Sequence, residues 1–61
     1  MYEKGQRVEL VFTTDEYTNL KPGDKGTVRL VDDIGTVHIN WDNGSGIGMI
    51  PGEDEIKIIN E

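Results

Sequence analysis

Apolar and polar residues alternate with a period of two along most of this chain, and glycine-rich turns interrupt the alternation. Because successive side chains of a β-strand point to opposite faces of a sheet, the alternation predicts strands that are buried on one face. The first strand is expected over Arg7–Thr13. Its residues Val8, Leu10 and Phe12 are expected to point inward, and no apolar stripe with helical spacing is long enough to predict a helix.

A polar segment, Thr14–Lys25, follows the first strand and predicts a long loop. Pro22–Asp24 near its end is a turn signal, since proline pre-sets one backbone dihedral and glycine supplies another. Leu20 is the only aliphatic residue between Thr14 and Lys25, so we expect it to pack beneath the loop as an anchor. Tyr17 is expected to cover the open end of the core.

Four more strands are predicted after this loop. They cover Thr27–Val31, a segment centred on Ile39, Ser45–Ile50 and Ile56–Ile59. The inward positions that their alternation predicts are Val28, Leu30, Val37, Ile39, Trp41, Ile56 and Ile58. Val31 and Ile59 depart from strict alternation, which indicates bulges or covered outer positions.

Turn signals separate these strands. Asp32–Gly35 predicts a short reversal, and the Asn-Gly pair within Asp42–Ser45 is the strongest hairpin signal in the chain. Gly46 and Gly48 weaken the fourth predicted strand but permit a sharp bend or a close approach of backbone. Pro51 and the acidic residues after it predict a single 3₁₀ turn before the last strand.

Several sequence blocks carry a resemblance to a known family. They are Gly5–Leu10, Leu20–Val28, Gly35–Ser45 and Ile50–Asp54. Together they resemble a family of short bacterial and mobile-element proteins that is described as a domain of unknown function. The order of strand, long loop, two hairpins, 3₁₀ turn and strand is similar to that of the SH3-like barrel. The resemblance implies an all-β fold: a small SH3-like barrel of about five antiparallel strands that forms one domain over residues 1–61.

Two weaker similarities concern function. The stretch Trp41–Ser45 is similar to the substrate-recognition barrels of some eukaryotic ubiquitin ligases. The Gly-Asp turn before the second strand is similar to the KOW modules of ribosomal and transcription proteins. Both similarities imply binding, and the family named first has no established catalytic residues to transfer.

Length and charge limit the functions that this chain can have. Its 61 residues form one domain at most and leave no room for a deep substrate cavity. Twelve acidic and six basic side chains give a net charge of −6, which repels a phosphate backbone. The chain has no cysteine, which fits a reducing cytosol, and it has neither a signal peptide nor a membrane-spanning stretch, so we expect a cytoplasmic protein.

Catalytic chemistry is not expected. His38 is the only histidine and has no paired nucleophile, so its ordinary interpretation is a strand residue that faces solvent. The run Gly44–Gly48 superficially resembles a phosphate loop, but no lysine and no helix follow it. The acids at Asp32–Asp33 and Glu53–Glu55 match no calcium loop and are expected to be solvated. We therefore predict no enzyme activity, no metal ligand and no cofactor.

The leading functional hypothesis is a protein- or peptide-binding module. The expected surface lies between the long loop and the Asn43 turn, and its candidate residues are Asp15, Glu16, Tyr17, His38, Asn40 and Trp41. Aromatic faces stack on proline and attract cations, so an aromatic side chain beside acids suits a basic or proline-containing peptide. Trp41 has two interpretations: parity with Val37 and Ile39 favours burial, and exposure would make it the anchor of the groove.

The alternative hypothesis is nucleic-acid association. A local basic stripe could form despite the net charge, from Arg7, Lys21, Lys25, Arg29 and Lys57. The chain is predicted to be a monomer, because Glu55, Lys57 and Glu61 place charges beside the apolar last strand and guard its edge against pairing.

Overall fold

The computed structural model describes residues 2–14 and 19–61 of the chain. In these residues four strands form one antiparallel sheet: β1 (Arg7–Phe12), β2 (Lys25–Val31), β3 (Val37–Trp41) and β4 (Glu55–Ile58). The strand order is β3-β2-β1-β4, so the last strand returns to pair with the first. No helix occurs in the described part of the chain, and the predicted all-β class is confirmed.

One face of the sheet carries the core. Trp41, Gly26, Val8 and Ile58 are register partners in a row across all four strands. The buried hydrophobic residues are Val8, Leu10, Leu20, Val28, Val37, Ile39, Trp41, Met49 and Ile56. Leu20, which belongs to the predicted long loop, is 4% exposed and lies in the core cluster, so its predicted burial is confirmed.

The prediction that Phe12 and Leu30 point into the core is wrong. The pairing register shifts between Leu10 and Phe12 in β1, and again between Val28 and Leu30 in β2. An extra residue in one strand interrupts the alternation of faces, so a side chain beyond the shift leaves the face that the period of two assigns to it. Phe12 is 55% exposed and Leu30 is 41% exposed.

The last strand contributes one core residue where two were predicted. Ile56 is buried, whereas Ile58 is 52% exposed. Ile58 shares the inner face with its partner Val8, but β4 is an edge strand and no neighbouring strand covers it on that side in the described sheet. The Tyr2 hydroxyl donates a hydrogen bond to the Ile56 carbonyl at 3.0 Å and so occupies one backbone acceptor of this edge strand.

The predicted fourth strand is not a continuous strand, because it pairs with β3 only near its two ends. The Trp41 amide donates to the Ser45 carbonyl at 3.0 Å, and Met49 and Val37 exchange two backbone hydrogen bonds of 2.8 and 2.9 Å. Between these points the Ile47 carbonyl accepts a hydrogen bond of 2.9 Å from the indole Nε1 of Trp41. A buried indole N–H needs an acceptor, and this contact uses a carbonyl that a regular ladder would have used.

The hairpin signal at Asn43 is confirmed. The Gly44 amide donates to the Trp41 carbonyl at 3.0 Å, and the Ser45 amide donates to the Asn43 side-chain oxygen at 2.9 Å. Gly44 has a φ of +91°, in the left-handed region that closes a three-residue hairpin loop and that glycine adopts without strain.

Candidate binding site

A turn before β4 shapes the candidate site. In this Pro51 turn, which covers residues 50–55, the Ile50 carbonyl accepts hydrogen bonds from the amides of Glu53 at 3.1 Å and Asp54 at 2.9 Å. Gly52 has a φ of +93°, which lies far from the negative φ of a 3₁₀ helix. The predicted 3₁₀ turn is therefore wrong in type, although a hydrogen-bonded turn does lie at the predicted place.

The Asp54 carboxylate ties the Pro51 turn to the end of β1. Its Oδ2 accepts from the Ile50 amide at 2.9 Å. Its Oδ1 accepts from the Thr13 hydroxyl at 2.7 Å and from the Thr14 amide at 3.3 Å. Partial burial is the largest single influence on the pKa of Asp54 and raises it, but these three hydrogen bonds together outweigh burial and bring the pKa below its ordinary value.

A groove lies between the end of β1 and the Pro51 turn. This Phe12 groove has a volume of about 310 Å³, and its lining residues are Phe12, Thr14, Gly52, Glu53, Asp54 and Glu55. Phe12 and Glu55 are register partners in the β1–β4 pair, so the sheet itself places an aromatic ring beside a carboxylate. The bulge in β1 turns this ring away from the core and into the groove.

A second, smaller hollow lies on the other side of the same turn. The apolar lining of this Tyr2 pocket is Tyr2, Val37, Met49, Pro51 and Ile56, and its volume is about 120 Å³. Asp54 and Glu55 line both the Tyr2 pocket and the Phe12 groove. The two hollows therefore flank one acidic ridge, which consists of Glu53, Asp54 and Glu55.

The acids of this ridge differ from Glu9 and Glu61, which have lysine partners on the outer face of the sheet, the face opposite the core. Glu53 and Glu55 are exposed, and neither contacts a basic side chain among the described residues. On the outer face, Lys57 Nζ lies 3.7 Å from a Glu9 oxygen, and Lys25 Nζ lies 3.1 Å from a Glu61 oxygen. Uncompensated negative charge thus lies beside the two hollows.

Arg7 is the centre of the outer-face network. Its guanidinium contacts Asp42 at 2.6 Å and Glu61 at 2.5 Å, and it also donates to the Thr27 hydroxyl at 3.1 Å. Hydrogen bonds to Asp42 and then to Glu61 raise the pKa of Arg7, and Arg7 lowers the pKa of both carboxyl groups. Three members of the expected basic stripe, Arg7, Lys25 and Lys57, are therefore neutralised by neighbouring acids.

The predicted binding residues have different environments. Asp15, Glu16 and Tyr17 lie outside the described residues. Asn40 is exposed on β3, whereas Trp41 is 3% exposed and belongs to the core, as its parity favoured. The Trp41 ring therefore offers no face to a peptide.

His38 is bound to the turn between β2 and β3. Its Nε2 lies 2.9 Å from an oxygen of Asp32, and the other Asp32 oxygen accepts from the amides of Ile34 and Thr36. The hydrogen bond with His38 is the largest effect that lowers the pKa of Asp32. His38 was expected to face solvent, but its side chain is only 29% exposed.

No group of three or more potential metal ligands occurs within residues 2–14 and 19–61. The same residues contain no helix with the length and apolar character needed to cross a bilayer.

Sequence reasoning missed the Phe12 groove because it assigned Phe12 to the core. One signal was available: Phe12 is the last apolar residue before the polar loop, at a strand end where bulges are common.

The sheet and the two hollows define a small all-β domain with an apolar and acidic surface beside its last strand. The chain belongs to the family described as Domain of unknown function (DUF4314), whose model matches residues 1–59. No curated protein and no solved structure gives a significant match.

Replacing Asp54 with asparagine is expected to lower the free energy of unfolding by about 1–2 kcal/mol, because the variant loses a charged acceptor for three hydrogen bonds. Urea denaturation followed by circular dichroism measures this loss. Asp33→Asn is the matched control, because Asp33 is exposed, and it should change stability by less than about 0.5 kcal/mol. Equal stability of Asp54→Asn and the wild type would contradict the assigned role.

The effect of Asp54 should depend on pH in a defined direction. Its folded pKa lies below the ordinary value of 3.8, so its stabilisation is complete above that value and is lost as pH falls through the folded pKa. The difference in stability between the wild type and Asp54→Asn should therefore shrink on acidification. A difference that grows below pH 3.8 would contradict this assignment.

Proposed function

We propose that this chain is a non-catalytic protein- or peptide-binding module with an SH3-like barrel, and that it binds its partner at the Phe12 groove and the Tyr2 pocket. The proposal rests on the ring of Phe12, which is 55% exposed. The bulge in β1 directs this ring into a groove that also has carboxylate side chains in its lining. Exposed aromatic side chains in hollows are the usual anchors of peptide recognition.

The barrel assignment is supported by the connectivity of the sheet. The last strand pairs with the first, a long loop follows β1, and the segment after β3 returns to pair with β3 at Met49. The nine buried hydrophobic residues in the described part of the chain form one cluster, with Tyr2 and Ile47 packed against it. These features are typical of a small curled sheet that encloses a single core.

The non-catalytic part of the proposal is supported by the contacts of polar groups. His38 is engaged by Asp32, and Asp54 holds the Pro51 turn. Both side chains therefore have structural partners. The remaining acids of the ridge, Glu53 and Glu55, are exposed, which suits contact with a partner better than proton transfer in a dry site.

A monomer is the proposed state. The open edge of β4 is the natural place for a second copy to pair, but the Tyr2 hydroxyl already occupies the Ile56 carbonyl there. Lys57, next to Ile56, adds a charge to the same strand.

Nucleic-acid association has less support than peptide binding. Arg7, Lys25 and Lys57 each contact a carboxylate, so phosphate would have to displace those contacts. Retention on single-stranded DNA that falls steeply with salt would favour this alternative over the proposal.

The proposal is tested with an array of basic, acidic and proline-containing peptides, followed by calorimetric titration of the best binders. Phe12→Ala is expected to weaken binding about tenfold or more, because an aromatic anchor that becomes buried on binding contributes on the order of 2 kcal/mol. Ile34→Ala is the matched control: Ile34 is 87% exposed and lines neither hollow, so affinity should change less than about twofold.

Two results would contradict the proposal. One is an array on which no peptide binds, and the other is a binder whose affinity is unchanged by Phe12→Ala. Urea denaturation of both variants verifies that they are folded at the titration temperature.

A further inference from the structure

The two hollows and the ridge between them restrict what kind of segment can bind. The Phe12 groove, at about 310 Å³, is at the small end of ligand pockets, and the Tyr2 pocket is smaller still. Hollows of this size accept single side chains of a partner. An extended segment that crosses the Pro51 turn would place one apolar side chain on each side of Glu55, which lines both hollows.

The negative charge of the ridge favours partner segments that carry cations in addition to apolar side chains. Glu53, Asp54 and Glu55 are consecutive, and Asp54 already satisfies groups within the domain. Glu53 and Glu55 have no basic partner in residues 2–14 and 19–61, whereas Glu9, Asp42 and Glu61 on the outer face each contact a lysine or arginine. A partner with its own lysine or arginine side chains would pair with Glu53 and Glu55, as the basic side chains of the domain already pair with the acids of the outer face.

Desolvation of the ridge carboxylates also favours a basic partner. A peptide lying over the ridge takes water away from Glu53 and Glu55, and burial of unpaired carboxylates is unfavourable. A lysine or arginine at that point offsets this cost, and its cation can also lie over the exposed ring of Phe12. An acidic peptide would instead place like charges together.

We infer that the partner is an extended basic segment, in which apolar side chains enter the Phe12 groove and the Tyr2 pocket while a lysine or arginine contacts Glu53 and Glu55. This inference rests on the proposed function and adds the chemistry of the ligand. Exposed ion pairs contribute modestly, so the acids mainly set specificity and make binding sensitive to salt.

The experiment compares two synthetic peptides of lysine, proline and leucine that differ only in charge: in the second peptide, glutamate replaces every lysine. Calorimetric titration of the full chain is expected to show binding of the lysine peptide and none of the glutamate peptide. The affinity for the lysine peptide should fall several-fold between low and physiological ionic strength.

A pair of double variants tests the ridge directly. The double variant Glu53→Gln with Glu55→Gln should bind the lysine peptide about fivefold more weakly than the wild type at low salt. Glu3→Gln with Asp33→Asn makes the same change in net charge at exposed positions that line neither hollow, and it should weaken binding less than about twofold.

The outcomes separate this inference from the proposed function. If both peptides bind and Phe12→Ala lowers the affinity for both, the preference for a basic segment is wrong and the groove remains the binding site. Equal losses in the two double variants would also overturn the inference, since they would indicate a general effect of net charge. If neither peptide binds, the inference fails, and the peptide array alone decides the proposed function.

Discussion

Replacing Gly26 with alanine is expected to lower the free energy of unfolding by about 3 kcal/mol, because β2 and β3 touch at this glycine. A Cβ at position 26 would lie 2.6 Å from Cγ2 of Ile39, 2.9 Å from the Asn40 carbonyl oxygen and 3.0 Å from Cα of Trp41. Two of these neighbours are backbone atoms, so a change of side-chain rotamer cannot relieve the contact. The two strands would have to separate where the core is fully packed.

Gly46→Ala is the matched control for this variant. A Cβ at Gly46 meets no atom within 4 Å. The free energy of unfolding of Gly46→Ala should therefore stay within about 0.5 kcal/mol of the wild-type value. Urea denaturation followed by the fluorescence of Trp41, the single tryptophan, measures both variants. Similar losses for Gly26→Ala and Gly46→Ala would contradict the close packing of β2 against β3.

Trp41→Ala is expected to lower the free energy of unfolding by about 4 kcal/mol, the usual cost of removing a large aromatic side chain from a core. The ring is 3% exposed, and Trp41 shares a row across the sheet with Gly26 and Val8. A domain of 61 residues has on the order of 3–9 kcal/mol of stability in total, so this variant should be partly unfolded in water.

Trp41→Phe separates packing from hydrogen bonding at the same position. It keeps most of the ring but removes the N–H that binds the Ile47 carbonyl, so we expect a smaller loss of about 1–2 kcal/mol. Denaturation followed by circular dichroism measures both Trp41 variants. If the phenylalanine variant were as unstable as the alanine variant, or if neither lost stability, the assignment of Trp41 as a core residue with a bonded indole would be wrong.

Much of the core could be predicted from local sequence because alternation is a local property. Val8, Leu10, Val28, Val37 and Ile39 are buried as their period of two predicts. Val8, Leu10 and Val28 precede the register shifts in their strands. The shift between β2 and β3 places its extra residue in β2, so alternation continues unbroken through Val37 and Ile39 in β3.

The departures from prediction depend on contacts between distant parts of the chain. Phe12 and Leu30 lie beyond register shifts, and a shift is set by the pairing partner as much as by the strand itself. The pairing of the predicted fourth strand with β3 is interrupted in its middle, where the Ile47 carbonyl accepts a hydrogen bond from the side chain of Trp41. No pattern within either segment contains that information.

The position of the Phe12 groove could not be predicted from the sequence. An aromatic ring beside acids was expected between the long loop and the Asn43 turn. The structure places Phe12 beside Glu53 and Glu55 at the Pro51 turn instead, and it places Trp41 in the core. Their meeting depends on β4 pairing with β1, which sets Glu55 opposite Phe12. Residues so far apart in sequence meet only through the strand order, which alternation does not specify.

The Phe12 groove as the binding surface is the central functional claim, and backbone amide chemical shifts test it most directly. Titration of the ¹⁵N-labelled domain with the lysine peptide should produce its largest shifts at the groove amides, those of Phe12, Thr14 and Gly52–Glu55. Residues that do not line the groove, such as Arg7 and Asn40, should remain nearly unchanged. Shifts that are largest at Arg7 and Asn40, or that are spread evenly over the sheet, would contradict binding at the Phe12 groove.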